Sequence, residues 1–264
     1  TNAFCQRNWD TPCIQHIKNK LLEQTTDQRD RARLLASQSP HSADWLFALP
    51  LSSIGLRLSN EAVRVSVGMR LGVKICEEHQ CPCGATVDII GTHGLSCRRS
   101  AGRQQRHSAL NDILVRAMHV AQIQATKEPS GLSRRDGKRP DGVTLIPWSR
   151  GRCLTWDITV PDTVATSHLD QTSFAAVAAA EHAAELKTAK YADLLQYYDF
   201  VAVAVETFGA RSTSALDFIK TLGRRITEVT GEKLETAYLL QRLSVTIQRC
   251  NAVCFAGSFK SDSN

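Results

Sequence analysis

An aspartate in the middle of an apolar strand is the feature of this sequence that most restricts its fold. Over residues 153–160, Leu154, Trp156, Ile158 and Val160 alternate with Thr155, Asp157 and Thr159. That period of two puts the large apolar groups on one face of a strand and the carboxylate on the other. The apolar face needs a layer packed on it, and the acid needs a partner or a task. The surrounding pattern supplies the layers. Ile123–Glu128 reads as a strand ended by Pro129-Ser130-Gly131, and Arg139–Ile146 reads as another. Turns are expected at Ser133–Gly137 and Pro147–Gly151. A strand at Phe200–Glu206 carries Val201, Val203 and Val205 on one face, and Gly209 closes it. Helices are expected to about Ala121, over 170–198, from Ser212 to Val229 and from Glu232 to about Cys254. Helix, strand and hairpin, then helix and strand, predict an α/β sheet with helices on its faces.

A second acid, Asp141, lies in Lys138-Arg139-Pro140-Asp141-Gly142, sixteen residues before Asp157 and near a facing position on the neighbouring strand. Two carboxylates on one sheet can share Mg²⁺ (or Mn²⁺), a hard cation that takes oxygen ligands and keeps waters. They can equally be ordinary surface aspartates. Charge bears on the choice. Residues 98–152 hold 12 Lys/Arg and 4 Asp/Glu, whereas residues 1–97 and 153–264 net +1 and −3. A local positive field attracts phosphate backbones, although a basic surface can also be merely solvated. The candidate nucleic-acid contacts are Arg98, Arg99, Arg103, Arg106, His107, Arg134, Arg135, Lys138 and Arg139. His107 and Asn111 sit four apart at the border of an apolar helical stripe (Leu110, Ile113, Leu114, Ala117, Ala121). They either point toward a site across the sheet or form satisfied hydrogen bonds at the helix border. On the helix expected over 170–198, Lys190 falls in the middle of a stripe formed by Ala183, Leu186, Leu194 and Tyr197, with Lys187 at its edge. Such a lysine either snorkels to solvent or meets carboxylates.

Cysteine chemistry defines a separate unit. From Cys81 the spacing is C-x-C-x9-H-x3-C, ending at Cys97 through His93. Three thiolates and an imidazole (Cys81, Cys83, His93, Cys97) complete the tetrahedron that structural zinc prefers, and Gly84 suits the tight turn of a knuckle. Cys76 and His79 are rival ligands. A closed four-ligand site makes this zinc scaffold rather than catalyst. Nine cysteines without a secretory leader favour a reducing compartment over a disulfide framework. No apolar run approaches the ~18 residues of a membrane span. Before the knuckle, residues 14–38 read as a polar helix ended by Pro40, and Ser59 as the N-cap of a helix over Asn60–Leu71. The chain begins with threonine in mid-pattern, as expected of a piece of something longer. The expected division is a helical connector over 1–75, a zinc knuckle over 76–100, a catalytic domain over 101–259 and a polar tail over 260–264.

The motifs in order are the Cys81, Cys83, His93, Cys97 knuckle; Arg106-His107; Arg139-Pro140-Asp141; Asp157; and Lys187, Lys190 and Tyr191 as Lys-x-x-Lys-Tyr. Together they resemble the C-terminal region of early-branching, site-specific non-LTR retrotransposon proteins, in which a CCHC knuckle precedes a restriction-like endonuclease of the PD-(D/E)xK superfamily. The resemblance covers about residues 76–206, and residues 40–75 look like the connector that follows the polymerase in such proteins. It implies a restriction-endonuclease-like central mixed sheet flanked by helices. It also implies Asp141 and Asp157 as ligands of catalytic Mg²⁺ and nicking of target DNA for insertion. The implied partners are a DNA target, element RNA and an upstream reverse transcriptase of the same polyprotein, in the nucleus. The lysine that such enzymes carry two residues after the second acid is replaced by Thr159. Members of this branch place it on the following helix, which matches Lys187 or Lys190. If the replacement is not compensated, the chain is a degenerate module that binds nucleic acid without cutting it. Pro161-Asp162 is a second Pro-Asp without an acidic strand at suitable spacing, and is set aside as a decoy.

Overall fold

The chain alternates helices with short strands around one mixed sheet. The computed structural model describes residues 6–132 and 139–260. In order these form α1 (Gln6–Gln24), α2 (Gln28–Gln38), α3 (Asn60–Leu71), β1 (His79–Gln80), β2 (Thr86–Val87), α4 (His93–Ser96), α5 (Ala101–Val120), β3 (Ala125–Lys127), β4 (Gly142–Thr144), β5 (Leu154–Thr159), α6 (Leu169–Thr172), α7 (Ala178–Lys190), β6 (Asp199–Ala204), α8 (Thr213–Thr230) and α9 (Glu235–Ala256). The expected turn at Ser133–Gly137, with Arg134, Arg135 and Lys138, lies outside the described residues, as does the tail beyond Lys260.

The sheet runs β3-β4-β5-β6, antiparallel except for the parallel β5–β6 pair. The alternation of β5 sorts its two faces as the sequence requires. Leu154, Trp156 and Ile158 pack with Val203 and Val205 into a core shared with α5, α8 and α9. On the opposite face Ala202 and Ala204 meet Ala180 and Ala184 of α7. Alanine on both sides lets α7 lie close against the strands beside Asp157, whose register partner is Ala202. Gly142 is required for a similar reason. Trp156 stands opposite it in the β4–β5 ladder, and a β-carbon there would come within 2.0 Å of the indole ring.

Three differences from the sequence expectations matter for the site. The helix expected over 170–198 is interrupted: α6 ends at Thr172, α7 begins at Ala178, and a 3-10 turn over Ala192–Gln196 follows. Leu186 and Tyr197, counted on an apolar stripe, are exposed at 59% and 73%. The face that α7 buries is Ala179, Ala180 and Ala184. The polar helix expected over 14–38 is also two helices, because the Asp27 side chain accepts from the Asp30 N–H and starts α2 afresh.

One buried cluster joins the expected connector, the knuckle and the C-terminal helix: Ala32, Val65, Leu95, Cys254 and Phe255 belong to it. The buried Arg211 guanidinium donates to the His41 carbonyl at 2.6 Å, and burial pushes it down to about 10. No helix among the described residues is long and apolar enough to cross a membrane.

Candidate functional site

The knuckle is built on the β1–β2 hairpin and α4. The ligand atoms of Cys81, Cys83, His93 and Cys97 all lie within 4.8 Å of one another. Cys81 Sγ and Cys97 Sγ are 3.7 Å apart, close to the edge of about 3.8 Å that a tetrahedron with 2.3 Å zinc–sulfur bonds requires. Cys83 Sγ lies 3.2 Å from His93 Nε2. The four residues can therefore hold a structural zinc. The rivals are engaged elsewhere. Cys76 Sγ donates to the Asp88 carbonyl, and His79 contacts Ser258 and stacks on Phe259 with ring centroids 4.1 Å apart. The Ala85 N–H pulls the Cys83 thiol down to about 6, while burial pushes Cys81 up to about 11. Loading therefore releases protons, which makes metal affinity depend on pH.

The acidic site is assembled by the sheet. Gly142↔Trp156 and Val143↔Thr155 are register pairs, and the Asp141 N–H donates to the Trp156 carbonyl at 2.9 Å. Asp141 thus sits just before β4, beside the Trp156–Asp157 peptide of β5. Asp157 is only 3% exposed, and Lys187 Nζ stands 2.5 Å from its Oδ1, with Lys190 Nζ 3.9 Å from Oδ2. A buried carboxylate of this kind is tolerated only with such a counter-charge. The other acid is gripped from the helix on the opposite side. Asp141 Oδ2 meets His107 Nε2 at 2.9 Å and accepts from the Ile158 N–H at 2.5 Å. The hydrogen bond to Asp141 holds the His107 imidazole above its usual range against partial burial, and the Asp157 charge adds to it. Asn111 donates to the Asp141 carbonyl and accepts from Trp156 Nε1, both at 2.9 Å. His107 and Asn111 thus do face the acids.

The basic residues divide. Arg98 and Arg103 are exposed and line an open cleft with His107, Thr159 and Lys187. Arg99 donates to the Pro82 carbonyl at 2.6 Å and so braces the knuckle. Arg139 is exposed and pairs with Glu128. Arg106 departs from the expectation of a surface cation: it is 2% exposed and donates to Asn251 Oδ1 at 2.8 Å. It lies at the floor of the same cleft rather than on its rim.

Two residues take part in ways the sequence does not specify: Tyr191, read only as a motif residue, and Glu206. Tyr191, 1% exposed, donates to the Arg139 carbonyl at 2.8 Å while Lys190 Nζ donates to its hydroxyl at 2.8 Å. This ties α7 to the Arg139-Pro140-Asp141 segment. Glu206 is fully buried at the end of β6. The one signal for it is an acid that directly follows an apolar strand.

Neither the protein-family models nor the curated proteins compared with this chain match it. The site must therefore be judged on its chemistry. It offers hard oxygen donors, a lysine ammonium within reach of the same space, and exposed guanidinium groups along the adjoining cleft.

Proposed function

We propose that this chain is a metal-dependent DNA endonuclease module, of the restriction-like kind its ordered motifs resemble. The observation that carries the reading is the pairing of Lys187 with Asp157 and of His107 with Asp141 on neighbouring strands, with Lys187 and His107 both lining the cleft of Arg98 and Arg103. Oxygen-only donors fit Mg²⁺ or Mn²⁺. Among the described residues the cluster of three or more potential metal ligands is the knuckle, so Asp141 and Asp157 would hold a divalent ion with water and phosphate completing its shell. An ion held there would supply Lewis acidity and a more acidic water.

The chain's own groups do the rest. The Ile158 N–H and His107 fix the plane of the Asp141 carboxylate. Lys187 lies where it can stabilise negative charge developing on a phosphoryl oxygen, as the missing lysine at Thr159 would have done. Arg98 and Arg103 draw the backbone into the cleft. In this reading the module nicks a DNA target in the nucleus, together with element RNA and an upstream reverse transcriptase. The test is conversion of a supercoiled plasmid to the open circle by the purified chain. Conversion is expected with Mg²⁺ or Mn²⁺ and none with EDTA; conversion that is indifferent to EDTA removes the mechanism.

A second reading, a module that binds nucleic acid without cutting, is favoured by the direct grip of Lys187 on Asp157, which an incoming ion has to loosen. Tight, salt-dependent DNA binding without nicking in either metal selects it.

A further inference from the structure

Behind the acidic site lies a buried polar network that the proposed chemistry does not use. It begins at the start of α7. Val177, in the N-cap position, has φ +69° and makes no side-chain capping bond, so the first N–H groups of α7 look elsewhere for acceptors. A β-branched residue at positive φ is strained and persists only where its surroundings enforce it. The acceptor is Glu206, from the end of β6. Its Oε1 accepts from the Ala180 N–H at 3.2 Å, with the Ala179 N–H as a further donor. Its Oε2 accepts from the Thr163 hydroxyl at 2.9 Å.

The network continues to the other half of the site. Thr207 Oγ1 donates to Asp162 Oδ1 at 2.8 Å and accepts from the Thr163 N–H at 3.1 Å. Asn251 donates to the Thr207 carbonyl at 2.7 Å and accepts from Arg106. Arg106 directly precedes His107. The network therefore runs from the helix that carries Lys187 to the helix that carries His107. The second Pro-Asp, Pro161-Asp162, belongs to this frame and not to the cleft.

We propose that Glu206 is a positioning residue: by capping α7 from a neighbouring strand it fixes the rotation and axial setting of that helix, and so places the Lys187 ammonium on Asp157. Lys187 lies seven residues beyond Ala180, about 10 Å along the helix axis. Over that length the helix transmits its setting as a rod. Without an acceptor at its start, the first turn frays and Lys187 is no longer held in register with Asp157. The catalytic part of this inference rests on the endonuclease reading, but the placement of Lys187 does not.

The experiment compares the full chain with Glu206→Gln, which keeps a side-chain carbonyl for the capping N–H groups, and Glu206→Met, which keeps the volume but removes the acceptors. Amide hydrogen exchange is followed along the chain. In Glu206→Met, exchange in α7 should accelerate at least about tenfold while α8 and α9 keep their protection, and Glu206→Gln should restore most of it. Uniform acceleration through all three helices, or none in α7, overturns the proposal. In nicking assays, Glu206→Met should lower kcat about tenfold or more with KM little changed, and Glu206→Gln should recover most of kcat. If wild type does not nick at all, the endonuclease reading fails while the exchange result still decides the placement of Lys187. Nicking by Glu206→Met at the wild-type rate, with α7 frayed, refutes the catalytic part alone.

Discussion

At the scale of single residues, the two lysines of α7 are unequal. Lys187 is 2.5 Å from Asp157, whereas Lys190 is 3.9 Å away and is also bonded to Tyr191. Removing one preorganised electrostatic group typically costs on the order of 10²–10³ in rate. Lys187→Ala is expected to lose nicking on that scale and Lys190→Ala to lose about tenfold or less; single-turnover rates measure both, and the reverse order would reassign the roles. His107 gives a test in the absence of metal. Its pKa is raised by Asp141, so its protonated form favours the folded state. The contribution is complete below the unfolded value of about 6.5 and is lost as the pH rises through the folded value. The urea midpoint of wild type should exceed that of His107→Gln most at pH values under that range, and the gap should close above it. A gap that widens with pH contradicts the assignment. The acids were legible in the sequence because a carboxylate on an apolar strand stands out against its period. Arg106 was not, because charge alone does not reveal a partner such as Asn251, 145 residues away.

At the scale of elements, legibility followed local chemistry. α3 begins and ends where Ser59 and Gly72 dictate: the Ser59 side chain accepts from the Ala62 N–H, and Gly72 takes the left-handed conformation. α7 carried no such marks. An alanine-rich stretch signals helix without signalling its ends, and its ends contact distant parts of the chain: Glu206 accepts from the Ala180 N–H, and the Arg139 carbonyl accepts from Tyr191 just past the helix. That is why the lysine nearer the acid could not be chosen from periodicity: Leu194 and Tyr197 lie past the end of the helix. The knuckle was readable because its ligands are local in sequence. Cys97→Ser should abolish stoichiometric zinc and Cys76→Ser should leave it intact, as metal analysis of the purified variants will report. Zinc retained without Cys97 would refute the ligand set. The knuckle also docks closely. A β-carbon on Gly94 would lie 2.5 Å from the Cys254 carbonyl oxygen in α9. Gly94→Ala should therefore destabilise the fold by about 1–3 kcal/mol through overpacking, seen as a lower denaturant midpoint. An unchanged midpoint would mean that α4 does not press on α9 in solution.

At the scale of the whole molecule, the layers divide the work. One face of the sheet buries the large core with α5, α8 and α9, and the other receives α7 and its lysines over a bed of alanine. The basic segment runs from the knuckle into α5, so the exposed Arg98 and Arg103 share a cleft with His107 and Lys187, the partners of the two acids. On the proposed reading binding and chemistry are separable: charge along the cleft would govern affinity, and Asp141, Asp157 and Lys187 would govern turnover. The most direct measurement of that account is single-turnover nicking of duplex DNA in Mg²⁺ or Mn²⁺ by wild type and by Asp157→Asn, at protein concentrations that saturate binding of each. The account predicts a nick from wild type and a loss of at least about a hundredfold in Asp157→Asn, with DNA affinity preserved. Equal rates from the two proteins would contradict it.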